Sequence, residues 1–231
     1  MPPQPPSPRP WLKVCGLRQP QQAAAVARLG ADAIGVIAVS ASPRHLEPDR
    51  RPALFAALAA AHPACLGVLV VADPQGADLP ELMADRGHRV VQLHGDETVQ
   101  RCRQLRRELG PELQLWKALR IRHPDDLRRA EAYAGCVDAL LLDAWVPDQL
   151  GGTGHRIPIE WLQGFRPALP WWLAGGLSPE RIAPSLQALA GCCPDGIDVS
   201  SGVERAPGDK DLTLVADLVT ALAPFRQDHH S

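Results

Sequence analysis

Short continuous runs of hydrophobic residues alternate along this chain with longer stretches that carry apolar residues on one helical face and arginines on the other. The runs at 12–16, 32–38, 66–71, 90–93, 113–119, 137–142, 171–174 and 196–199 predict eight β-strands. The stretches near 20–29, 48–61, 77–86, 97–109, 124–133, 159–162, 179–189 and 211–222 predict the helices between them. Pro20, Pro48, Pro124 and Pro179 open four of these, where a missing N–H costs nothing. The strands are apolar throughout rather than on alternate residues, so both of their faces must be covered, as in a parallel sheet flanked by helices. With right-handed βα crossovers, two architectures share this local pattern: a closed (β/α)8 TIM barrel and a doubly wound open sheet.

The loops bear on that choice. Glycine and polar residues gather just past the strand ends: Cys15-Gly16, Ser42-Pro43-Arg44, His94-Gly95-Asp96, Asp143 followed by Gly151-Gly152-Thr153-Gly154, Gly175-Gly176, and Ser200-Ser201-Gly202. In a barrel all of these converge on one mouth, where active sites of that fold lie. No G-x-G-x-x-G follows the first strand, so the dinucleotide fingerprint of the open sheet is missing. The expected organisation is one α/β barrel domain over residues 11–223. A flexible proline-rich arm at 1–10, with six prolines in ten residues, precedes it, and a polar tail at 224–231 holding His229 and His230 follows.

Composition narrows the chemistry. A length of 231 residues suits one such barrel, and 45% hydrophobic with 22% charged residues is globular. The formal net charge of −2 gives no broad footprint for nucleic acid or an anionic membrane, so any anion must be held locally. Residues 52–72 carry no formal charge, but His62-Pro63 interrupts them, so they read as a buried helix and strand rather than a membrane span. The arm lacks the apolar segment of a secretory signal, and the six cysteines lack any C-x-x-C, which points to a cytoplasmic protein without a disulfide framework or zinc cage. The chain has only three lysines, Lys13, Lys117 and Lys210. Imine chemistry therefore has few candidates, with Lys117 the one retained and Lys13 read as a buried, paired charge.

The strongest local signal is the pair of loops Ala174-Gly175-Gly176-Leu177-Ser178 and Asp198-Val199-Ser200-Ser201-Gly202-Val203-Glu204, at the position where this fold commonly holds phosphate. Glycine lets backbone amides approach an anion, and serine hydroxyls add donors. Cys15 ends the first strand and Asp143 the sixth. Facing inward they would flank a substrate as base and acid, although a small core residue and an Asx cap are the plainer readings of each alone. Arg44 could clamp a carboxylate, or be one more solvated arginine, and His94 could hydrogen-bond a ligand at the mouth or simply satisfy its turn.

Taken together these residues resemble the phosphoribosylanthranilate isomerase family. The resemblance runs from residue 13 to about 222. It is carried by Lys13-Val14-Cys15-Gly16-Leu17, Gly30-Ala31-Asp32-Ala33-Ile34-Gly35, Ser42-Pro43-Arg44, Val91-Gln92-Leu93-His94-Gly95-Asp96-Glu97, Leu141-Leu142-Asp143, Gly151-Gly152-Thr153-Gly154, Leu173-Ala174-Gly175-Gly176-Leu177, and Gly196 through Glu204, then Pro207-Gly208 and Lys210-Asp211. It implies a TIM barrel and an aldose–ketose isomerase of tryptophan biosynthesis that uses neither metal nor cofactor. Cys15 would be the general base, Asp143 the general acid, and Arg44 the partner of the anthranilate carboxylate. Gly175, Gly176, Ser200, Ser201 and Gly202, with Gly152 and Gly154 alongside, would hold phosphate, and His94 and Asp198 would complete the substrate site. The expected partner is a small phosphorylated substrate, on a monomer or homodimer.

Three features depart from the family pattern. The second strand, Gly35-Val36-Ile37-Ala38-Val39-Ser40, lacks the family's usual phenylalanine, Trp145 adds bulk just after Asp143, and the proline arm has no family counterpart. Two other readings compete. The related isomerase of histidine synthesis would need an aspartate in place of Cys15 and a second phosphate site, and a phosphate-ligand sensor or FMN-binding barrel would share the loops without the chemistry.

Overall fold

The computed structural model describes residues 10–144 and 156–227. Eight parallel strands close into a barrel in sequence order: β1 (Trp11–Cys15), β2 (Ala33–Ile37), β3 (Leu66–Val71), β4 (Val90–Leu93), β5 (Gln114–Ile121), β6 (Ala139–Ala144), β7 (Trp171–Leu173) and β8 (Gly196–Val199). Closure is made by β1 pairing with β8, Lys13 opposite Asp198, while Cys15 lies opposite Gly35 on β2. The open-sheet alternative is thereby excluded.

Alternation along each strand sorts the apolar residues into two cores. Trp11, Val68, Val90, Trp116, Leu141 and Trp172 point into the barrel, whereas Leu12, Val14, Ile34, Val91, Leu140 and Ile197 point outward against the helices. Trp172 stacks within 4.7 Å of Trp116 and 6.0 Å of Trp11, filling the lumen toward the strand N-termini. The lumen can be open only at the opposite end, where the strand C-termini and their loops lie.

The helices are α1 (Pro20–Arg28), α2 (Arg51–Ala61), α3 (Leu79–Leu82), α4 (Val99–Leu109), α5 (Pro179–Ala188) and α6 (Leu212–Gln227), and a small hairpin, β9 (Glu204–Ala206) and β10 (Asp209–Lys210), follows β8. The segment expected as one helix over 77–86 is broken. Met83 is extended, and the carbonyls of Pro80 and Leu82, which a continuing helix would use, accept from Arg86 and His88 side chains instead. The segments Pro124–Tyr133 and Ile159–Leu162 form tighter 3-10 turns.

The domain edges also differ from the sequence expectation. Residues 224–227 belong to α6 rather than to a tail. Arg226 explains this: it donates to the carbonyls of Pro10 and Gly30 and pairs with Asp32, tying both described ends of the chain to the closed end of the barrel. Pro10, expected in the arm, is buried. The remainder of the arm, Trp145, Gly152, Gly154 and the two tail histidines lie outside the described residues. Among the described residues no helix is long and apolar enough to cross a membrane.

Lys117 shares strand parity with Leu115 and Leu119, so it points out of the barrel and does not line the mouth cavity, which removes it as an imine-forming residue. Its ammonium is buried, 2.6 Å from Glu97 and 2.7 Å from the Gly95 carbonyl. The other oxygen of Glu97 accepts from the backbone N–H groups of Asp73 and Gly95. Removing one partner of a buried pair strands the other charge, so Lys117→Met should destabilise the fold by about 3–5 kcal/mol. The drop should appear as a lower denaturant midpoint at unchanged slope, and an unchanged midpoint would contradict the pairing.

Candidate active site

The mouth holds a cavity that opens to solvent. The strand ends and loops after them bring to it Cys15, Arg44, His94, Asp143, Gly175, Gly176, Asp198, Ser200, Ser201 and Gly202, every described residue proposed for the site from the sequence. Ile37, Val39 and Val70 form its apolar wall, and Gln92 joins it from β4. The phenylalanine of the family pattern is thus replaced by a smaller aliphatic surface.

Cys15 and Asp143 enter the cavity from β1 and β6, separated the shorter way round by β7 and β8. Both are nearly buried. Burial pushes the Cys15 thiol above its ordinary range. The buried ammonium of Lys13 works against that rise, Asp198 adds to it, and Lys210 also opposes it. Lys13 projects to the same inner face two residues before Cys15, 2.9 Å from Asp198. Burial disfavours its charge, but Asp198 and then Cys15 outweigh this, and the net direction is upward, keeping it a cation. Lys13 is therefore a paired buried charge, as expected, and also the cation beside the thiol. Asp198 has one carboxylate oxygen committed to it.

Arg44 is buried rather than solvated, and one edge of its guanidinium is already taken. Nε lies 3.0 and 3.1 Å from the two Glu204 oxygens, and Nη2 lies 2.7 Å from Oε2. The fork has a second edge, Nη1 with the other Nη2 proton, for a further carboxylate. Glu204 also accepts from Lys210 at 2.6 Å and from the Gly208 amide. Burial opposes its charge, but Arg44 and Lys210 hold its carboxyl below the usual range.

Ser200 lines the cavity, and its hydroxyl donates to the Cys15 carbonyl at 3.0 Å and accepts from Lys210 at 3.4 Å. A hydroxyl has one proton to give. Ser200 braces the end of β1, and Arg44, Glu204, Lys210 and Ser200 form one chain of contacts that locks the β2 and β8 loops around Cys15.

The two glycine-rich loops touch. A Cβ on Gly202 would stand 1.8 Å from the Leu177 carbonyl oxygen, so only glycine permits the approach. Gly175 and Gly176 both have positive φ, 90° and 59°, which turns the backbone at the end of β7 toward the cavity.

His94 lies 3.4 Å from Asp143 through Nε2, and its Nδ1 is 3.0 Å from the Gln92 side-chain amide. Asp143 Oδ1 accepts from the Ala144 amide at 2.9 Å. Nδ1 thus has a protein partner, while Nε2 faces Asp143 without forming a hydrogen bond, and the ring lines the cavity. Gln92, Glu204, Lys210 and the closeness of Lys13 to Cys15 were given no role from sequence. For Lys13 the signal was present in its i, i+2 spacing from Cys15 on one strand face.

Against known proteins, residues 12–221 match the family model described as N-(5'-phosphoribosyl)anthranilate (PRA) isomerase. The N-(5'-phosphoribosyl)anthranilate isomerase of Synechococcus elongatus is 50% identical over 212 residues, 92% of this chain and 95% of that protein. The crystal structure of the phosphoribosyl anthranilate isomerase from Thermus thermophilus superposes with a TM-score of 0.75 at 30% identity, covering 94% of this chain and all of that one. A further structure of such an isomerase, in complex with reduced 1-(o-carboxyphenylamino)-1-deoxyribulose 5-phosphate, gives 0.74 at 25% identity over 93% of this chain and 98% of the other. The rival assignments to histidine synthesis and to an FMN barrel fall away: with its eight-stranded barrel and these relatives, the chain belongs to the N-(5'-phosphoribosyl)anthranilate isomerase family.

Proposed function

We propose that this chain converts N-(5'-phosphoribosyl)anthranilate to 1-(2-carboxyphenylamino)-1-deoxyribulose 5-phosphate, with Asp143 as general acid and Cys15 as general base. The observation that carries the assignment is that these two side chains share one cavity whose rim bears two touching glycine-rich loops. Asp143 gives its proton to the furanose ring oxygen. The C1′–O bond breaks, and the substrate nitrogen takes up the positive charge as an iminium. The Cys15 thiolate removes the C2′ proton, and that electron pair flows to C1′ and neutralises the nitrogen, leaving an enolamine. Loss of the C2′ hydroxyl proton and gain of one at C1′ then give the ketone. The substrate nitrogen is the electron sink, so the rearrangement calls for no added cofactor.

Each remaining contact positions the substrate. Main-chain amides around Gly175, Gly176 and Gly202, with the Ser201 hydroxyl, take the phosphate. The free edge of Arg44 takes the anthranilate carboxylate, and Ile37, Val39 and Val70 cover the ring. Holding both ends fixes the sugar between acid and base, where orientation lowers the barrier. Lys13 stabilises the thiolate against the cost of burial.

The test is a steady-state assay with substrate generated in place, following loss of anthranilate-type fluorescence, with EDTA and no added cofactor. Saturable turnover proportional to enzyme is expected. Absence of turnover by folded protein that still binds a product analogue would overturn the assignment.

A further inference from the structure

On β4 and the residue that follows it, the inward-facing side chains are Val90, Gln92 and His94, and Gln92 is wholly buried behind the histidine ring. Its amide lies 3.0 Å from His94 Nδ1, and His94 Nε2 lies 3.4 Å from Asp143 Oδ2, so the three side chains run in a row from the barrel interior to the carboxyl group. Gln92 Oε1 and His94 Nε2 are both buried without a hydrogen-bond partner among the described residues. Each is a cost that calls for an explanation, and Nε2, facing Asp143 at 3.4 Å, is the one nearest the chemistry.

A neutral imidazole has one N–H and one lone pair. If the proton sat on Nδ1, the Nε2 lone pair would compete with the sugar for the Asp143 proton and, once that proton was given up, would face a carboxylate in a buried space. With the proton on Nε2, that contact becomes a donor facing an acceptor, and Nδ1 is left as a lone pair needing a donor. The Gln92 NH2 group stands where that donor is required. An N–H aimed at Nδ1 also leaves no room for a second proton there, so the ring is held in one tautomer.

We propose that Gln92 is a positioning residue for the isomerisation: it fixes the His94 proton on Nε2, so that the ring donates to Asp143 Oδ2 as that carboxyl group gives its own proton to the sugar. The Ala144 amide holds Oδ1 at the same time, so the developing carboxylate meets two donors placed in advance. No proton leaves His94 during turnover; its N–H turns with the charge on Asp143 from a weak to a strong contact. The proposal rests on Asp143 being the general acid and adds the machinery behind it.

Gln92→Leu is nearly isosteric and removes the donor. Its kcat should fall about 10- to 100-fold, the range seen when the partner orienting a metal-bound histidine is lost. KM should hold, because Gln92 makes no contact with the phosphate or carboxylate anchors. Long-range proton–nitrogen correlation spectra of wild-type protein, with His94 identified by its loss in His94→Gln, should show protonated Nε2 and bare Nδ1. In folded Gln92→Leu that signature should be lost. A wild-type ring protonated on Nδ1, or a folded Gln92→Leu with wild-type kcat, overturns the proposal, and the first of these needs no variant at position 92 to fold. Asp143→Asn separates the two levels. If it retains full turnover, the acid assignment itself fails; if it is inactive while Gln92→Leu is unimpaired, only the role of Gln92 does.

Discussion

Asp143→Asn and Cys15→Ala are each expected to lower kcat by about 10²- to 10⁴-fold, the usual worth of a positioned acid or base, while leaving KM within a few-fold of wild type. Asparagine keeps the shape of aspartate and its place at the end of β6, but carries no carboxyl proton to give to the ring oxygen. Alanine at position 15 removes the sulfur that would take the C2′ proton. Neither change touches the glycine-rich loops or Arg44, so substrate should still be held at both ends. The pH dependence has a defined sign. Burial places the Cys15 thiol above its ordinary range, so the thiolate fraction should climb as pH rises through and beyond neutrality. Alkylation of Cys15 by iodoacetamide should climb in parallel, and a product analogue should slow it. Because acid and base act in one sequence, the double variant should be little worse than the poorer single one. Full turnover in either single variant would remove that residue from its role.

Gly202→Ala is the second large effect, and it reads on binding. The added methyl would fall 1.8 Å from the Leu177 oxygen, 2.9 Å from its carbonyl carbon and 3.2 Å from Ser178 Cα, all main-chain atoms with no side-chain freedom to yield. The two loops must separate by an ångström or more, and a misplacement of that size costs about 10²-fold where substrate orientation matters. The loss should appear chiefly as a raised KM and weaker competitive inhibition by inorganic phosphate. A stability cost of about 1–3 kcal/mol should accompany it, as for other overpacked sites. A variant with wild-type KM and phosphate inhibition would show that these loops do not hold the phosphate.

The barrel was legible because continuous apolar runs and the glycine-rich turns after them reflect the same requirement, strands covered on both sides with function gathered at one end. That continuity concealed something else. When every strand position is apolar, the sequence does not say which parity faces the lumen, so Lys117 remained an imine candidate although its neighbours Leu115 and Leu119 pack outward. Cys15 and Asp143 stood out as polar residues closing apolar strands. The contacts that define their surroundings did not: Arg44 with Glu204 and Ser200 with Cys15 are separated by 160 and 185 residues and exist only because β8 closes onto β1. The helix expected over 77–86 failed for a local reason of the same kind, since His88 and Arg86 claim carbonyls that periodicity assigns to the helix.

The anchoring of Arg226 to Pro10, Gly30 and Asp32 gathers the first and last described residues on the tryptophan-filled side of the molecule, a barrel's depth from where substrate enters. Neither described end of the chain therefore stands at the entrance, and the tie that holds the two together is remote from the residues that would handle substrate.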